Sequence, residues 1–102
     1  MEAVVIYDVE QTKRFALWLA GLRNLRAKVA IGRRIERVAM GNLGDVKSLG
    51  GGLSELRIDV AAGYRIYFTC KAGRLILLLA GGDKSSQASD ILQARQLAKE
   101  MK

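Results

Sequence analysis

The chain has 102 residues, half of them apolar, with 17 Lys and Arg against 10 Asp and Glu and no histidine. That length suits one domain spanning residues 1–102 with a real core, and the apolar share excludes a disordered chain. A net charge of +7 on so small a body favours encounter with polyanions, nucleic acid first among them. A basic surface kept for solubility, or covered by an acidic partner, gives the same count.

The opening MEAVVIYDVE is acidic at position 2, and its apolar run is too short for a signal peptide. Val4 to Tyr7, β-branched and aromatic, predict a first strand. Thr12 then stands as an N-cap before Phe15, Trp18, Leu19 and Leu22, whose spacing makes one apolar helical stripe. Trp18 on that stripe reads as core. Asn24 caps a second helix running to about Met40, with Leu25, Val29, Gly32, Ile35, Glu36 and Ala39 pointing mostly one way. Arg26, Arg33, Arg34 and Arg37 gather on another side. This basic stripe is either a solvated face or a surface for a phosphate backbone or an acidic partner.

Gly41-Asn42 and Gly44-Asp45 end that helix, and Gly50-Gly51-Gly52 prolong the loop. Glu55 to Val60 and Tyr64 to Cys70 alternate apolar and polar, predicting two strands joined by Ala61-Ala62-Gly63. Closing the hairpin at Val60 and Tyr64 sets Asp59 opposite Arg65 and Arg57 opposite Tyr67 on the solvent side. Cys70, the only cysteine, falls on the apolar face as a small buried hydrophobe. Without a Cys/His cluster no metal site is expected, and no cofactor is implied. Arg74 to Ala80 is apolar almost throughout, as in a central strand, and far too short to span a bilayer. Gly81-Gly82 break it. A last helix begins near Ser85 or Ser86 with Ile91, Ala94, Ala98 and Met101 on one side. The order β-α-α-β-β-β-α makes an α+β domain, expected in the cytosol.

The turn GGDKSSQ joins glycines, Lys84 and a helix N-terminus, which attracts anions, although Asp83 or Ser86 can equally cap the helix. Arg57, Arg65, Tyr67 and Lys84 would then converge on one phosphate-handling surface. Asp59 with Arg65 can also be an ordinary cross-strand ion pair.

The segments ELRI, GYRIYF and LLLAGGDKSSQASDILQA, in that order, resemble RelE-like toxins of toxin–antitoxin modules, in the HigB-like or phage-derived killer branch. The resemblance spans nearly the whole chain. It implies a small sheet flanked by helices, an endoribonuclease that cuts mRNA on the translating ribosome, and a neighbouring helix-turn-helix antitoxin. By position, Arg65 corresponds to the arginine on the scissile phosphate, and Arg57 and Lys84 to basic residues on the preceding strand and after the last one. Lys47 and Gln87 fit the branch pattern as further RNA-contacting residues. Where some relatives carry a tyrosine or histidine as acid–base group, this chain offers Asp90, with Glu55 the other carboxylate able to act as base. The same scaffold also carries ParE-like gyrase poisons, and a plain RNA- or DNA-binding module built on the Arg26 to Arg37 stripe is a further alternative.

Overall fold

The computed structural model describes residues 5–101. Their elements are β1 (Asp8–Gln11), α1 (Lys13–Gly21), α2 (Leu25–Ala39), β2 (Val46–Gly50), β3 (Leu53–Ile58), β4 (Tyr64–Lys71), β5 (Leu75–Asp83), a 3-10 turn (Lys84–Ser86) and α3 (Gln87–Glu100). The strands form one mixed sheet in the order β1-β5-β4-β3-β2. β1 runs parallel to β5, and the other pairs are antiparallel. The α+β class holds, with one strand more than expected.

The helices begin where their caps dictate. Thr12 Oγ1 accepts the Phe15 amide at 3.1 Å and donates to the Leu79 carbonyl at 2.7 Å, so the cap also staples α1 to β5. Asn24 accepts the Ala27 amide at 3.0 Å and starts α2. Thr12→Ala removes both bonds and strands a buried carbonyl. It is expected to cost about 1–2 kcal/mol in urea unfolding, against a few tenths for an exposed cap.

α1 and α2 cover one face of the sheet, around Phe15, Ile31, Val38, Leu56, Ile66, Phe68 and Leu78. α3 covers the other with Ala94, Ile91, Leu97 and Ala98 against Leu53, Tyr67, Leu77 and Leu79. Met101 is exposed instead, and Leu97 takes the place expected for it. β5 is therefore sandwiched on both faces, as its apolar run requires. Among the described residues no helix is long and apolar enough to cross a membrane.

Several expectations are corrected. The first strand begins at Asp8, not at Val4 (which lies outside the described residues), because its pairing with β5 starts at Asp8 opposite Leu75. The stretch read as loop contains β2, which pairs with β3 through a tight turn at Gly50-Gly51-Gly52, all three at positive φ. In α2 the inward line is Ala27, Ile31 and Val38, while Leu25 and Val29 are exposed. At 100° per residue Arg34 falls on that inward line, not with the other arginines. Cys70 is exposed, since the core of its face ends on β4 at Phe68.

Gly81 and Gly82 do not end β5, which continues to Asp83. They permit close approach from both sides: a Cβ at Gly81 would run into the Trp18 ring, and one at Gly82 into the Asp90 carboxylate. The hairpin also closes earlier than expected. Ile58 faces Tyr64, so Arg57 stands opposite Arg65 and Glu55 opposite Tyr67, and Asp59 lies in the loop.

Candidate functional site

At the end of the sheet where β3 finishes and β4 begins lies a cleft of about 360 Å³, lined by Arg57, Arg65 and Lys84 together with Asp45, Asp59 and Tyr64. Three cations expected to act together therefore share one hollow. Two arginines directly opposite each other on neighbouring strands repel, which alone would be unfavourable. Each is held by a carboxylate. Arg57 Nη2 bonds Asp45 Oδ1 at 3.2 Å at the surface, and Arg65 Nε lies 3.3 Å from Glu55 Oε1 underneath. Both Nε atoms are buried and lack an acceptor with hydrogen-bond geometry among the described residues. The donors left for an oxyanion are the terminal ones: among the described residues Arg57 Nη1 and both Arg65 Nη atoms make no hydrogen bond, and only Arg57 Nη2 is engaged. Lys84 closes the rim, its backbone amide donating to the Gly63 carbonyl at 3.1 Å and its stem packed beside Gly63.

Glu55 does not sit where a base must. It is 1% exposed, and its Oε1 also accepts from Gln87 Nε2 at 2.9 Å. Glu55 and Gln87 are thereby an internal brace that fixes Arg65 to the start of α3. Tyr67 belongs to the same buried layer. It is fully covered, with a hydroxyl lacking a partner among the described residues, and it offers no stacking surface. The reason is α3, which covers the side of the hairpin expected to face solvent. Burial first, then the charges of Glu55 and Asp90, push the Tyr67 phenol above its ordinary range, so it stays protonated at neutral pH. Lys47 is exposed on β2, directly opposite Glu55 in the register.

The turn after β5 is not an open anion site. The Asp83 carboxylate accepts the Ser85 amide at 2.8 Å, and the Ser85 hydroxyl holds Asp83 below its usual value. Asp90 lies elsewhere again. Its Oδ2 accepts from Ser86 Oγ at 2.6 Å, and its carboxylate lines a separate hollow with Trp18.

The basic stripe divides in two. Arg34 donates to the carbonyls of Leu43 (2.9 Å), Asp45 (2.9 Å) and Arg57 (2.8 Å). It clamps the loop before β2 onto β3 and so sets the position of both Asp45 and Arg57. Burial, then the Arg37 charge, lower its pKa, with Asp45 acting the other way. Arg33 and Arg37 are exposed and line a groove of about 260 Å³ that shares Ile58 and Asp59 with the cleft. Arg26 is exposed nearer the start of α2.

Sequence reasoning missed Asp45 and the clamp of Arg34. The one available signal was the helical position of Arg34, in line with three apolar residues. An arginine in an apolar line needs acceptors, and the next loop supplies them.

Residues 18–102 match the family described as phage-derived protein Gp49-like. An uncharacterized protein of Haemophilus influenzae is 50% identical over 94 residues, covering 92% of this chain and 95% of its own length. The matched stretch contains every residue of the cleft, and by it the chain belongs to the Gp49-like family of phage-derived proteins, within the RelE toxin–antitoxin superfamily.

Proposed function

We propose that the protein is the toxin of a toxin–antitoxin pair in the HigB-like branch, and that it cuts mRNA on the ribosome in the cytoplasm. The observation that carries this reading is the cleft in which Arg57 and Arg65 face each other across two strands beside Lys84. Repulsion between like charges is unfavourable in the free protein and is relieved by a phosphate between them. A cognate antitoxin would mask the same basic surface.

Cleavage joins the ribose 2′-oxygen to phosphorus and breaks the bond to the 5′-oxygen, leaving a cyclic phosphate and a 5′-hydroxyl. Arg57 and Arg65 stabilise the charge that builds on the phosphorane, where planar guanidinium groups can each offer paired donors. Lys84 donates a proton to the departing oxygen. Asp45 is engaged by Arg57, so Asp59 on the cleft wall takes the 2′-proton, in place of the enclosed Glu55. Positioning of the substrate supplies much of the remaining acceleration.

Induced expression without the antitoxin tests the reading. Growth should stop, and mapped transcripts should acquire new 5′ ends inside coding regions. Arrest with intact mRNA but relaxed or broken DNA would instead assign the chain to the gyrase poisons. Continued growth would remove toxicity altogether.

A further inference from the structure

A second hollow, of about 550 Å³, adjoins the phosphate cleft, and the cleavage steps above do not use it. Tyr64 is a wall of both hollows, and Asp83 of the second precedes Lys84 of the first. Gly82 on its floor is the cross-strand neighbour of Arg65, about 5 Å away at the ordinary strand spacing. We propose that this hollow binds a guanine base of the RNA strand whose phosphate lies at Arg57 and Arg65. The inference rests on the RNA reading above and adds a base preference to it.

The lining has the chemistry such a guest requires. Trp18 and Tyr64 have ring centroids 6.3 Å apart and planes tilted by 58°. They form a tilted contact, not a stack, with Tyr64 buried behind, so the half-buried Trp18 offers the face to one inserted ring. The Trp18 ring is seated on Gly81, which fixes that face in place. Single-stranded RNA is read in this manner, with an unstacked base against an aromatic ring and its polar edge met by hydrogen bonds.

The polar groups select the base. Asp90 is anchored by Ser86 through one lone pair of Oδ2, which leaves Oδ1 and the second lone pair of Oδ2 to accept two donors from a guest. An ionised carboxylate accepts only, so the guest must donate. Guanine presents N1–H and N2–H side by side, next to the O6 acceptor. Arg14, on the same lining, matches O6. Adenine and cytosine each place an unprotonated ring nitrogen beside their amine, and uracil flanks its single N–H with carbonyls, so each sets an acceptor against the carboxylate. One well-formed pair of hydrogen bonds discriminates between bases by about 1–3 kcal/mol, roughly 5- to 150-fold.

Trp18 is the only tryptophan, so its emission reports on this hollow alone. The full chain is titrated with short 2′-O-methyl oligoribonucleotides, which cannot be cut, differing at one central base: guanine, inosine or adenine. Anisotropy of a terminal dye reports total binding, and Trp18 quenching reports the base. Guanine is expected to quench Trp18 and to bind about tenfold more tightly than adenine, with inosine between them. Asp90→Asn should abolish the preference by weakening guanine and strengthening adenine, since the amide can donate to the adenine ring nitrogen that the carboxylate repels. Arg14→Gln, an exposed change without folding risk, should reduce it. Binding seen by anisotropy with equal quenching by all bases, or with none, overturns the guanine site and leaves the RNA reading standing. No binding by anisotropy overturns the guanine site, and new 5′ ends in transcripts on induced expression then decide the RNA reading separately. Quenching by the antitoxin and by no oligonucleotide gives the hollow to a protein and overturns the proposal.

Discussion

Arg65→Ala is expected to lower mRNA cleavage by two to three powers of ten, equivalent to about 3–4 kcal/mol of lost transition-state stabilisation. The same change should also destabilise the fold by about 3 kcal/mol, because it strands the buried Glu55 carboxylate without its cation. The two losses are separable. In Glu55→Gln/Arg65→Met the amide still accepts from Gln87 and no buried charge remains, so urea unfolding should return close to wild type. Cleavage should stay absent. Arg65→Lys should be poor as well, since an ammonium cannot offer two donors in one plane. A stable double variant that cuts mRNA at the original rate would remove Arg65 from the chemistry.

Arg34→Gln should behave in the opposite sense to its neighbours in sequence. Its guanidinium holds three backbone carbonyls, and hydrogen bonds to charged groups contribute more than neutral ones. Losing them together should cost about 2–4 kcal/mol. Thermal unfolding should show a large drop, and cleavage should fall with it as Asp45 and Arg57 lose their placement. Arg33→Gln and Arg37→Gln, both exposed, should stay within about 0.5 kcal/mol of the original stability. Each should reduce the salt dependence of RNA binding by about one unit of slope for every phosphate contact removed. An Arg34→Gln protein as stable as wild type would contradict the clamp. An unchanged salt slope in the other two would make Arg33 and Arg37 an ordinary solvated face.

Much of this was legible in the residues. Thr12 and Asn24 announce their helices, the α1 stripe of Phe15, Trp18, Leu19 and Leu22 packs inward, and β5 is buried on both faces as its run of leucines requires. The meeting of Arg57, Arg65 and Lys84 was also foreseeable. The errors share one cause, which is that local pattern does not report what lies across a strand or above a face. Tyr67 alternates like an exposed residue but lies beneath α3. Gly81-Gly82 resemble a break, and only the Trp18 ring and the Asp90 carboxylate explain them. β2 hides in a glycine-rich stretch because VKSLG is an edge strand, exposed at most positions. Glu55, a plausible base on paper, is enclosed by partners that arrive from α3 and β4.

The ion pair beneath the hairpin bears on how the chain reaches its native state. Sliding β3 by two residues along β4, about 6.8 Å, would leave every apolar side chain on its proper face. Hydrophobic burial therefore distinguishes the two alignments poorly. Glu55 distinguishes the slip that lengthens the loop sharply, because with Ile58 opposite Ile66 it faces Thr69 and leaves both Arg65 and Gln87. The brace thus works by making the competing hairpin costly, and the stability of the native one is the smaller part of its effect. A chain carrying apolar residues at both positions should still collapse, but refold in several phases as misaligned hairpins escape slowly.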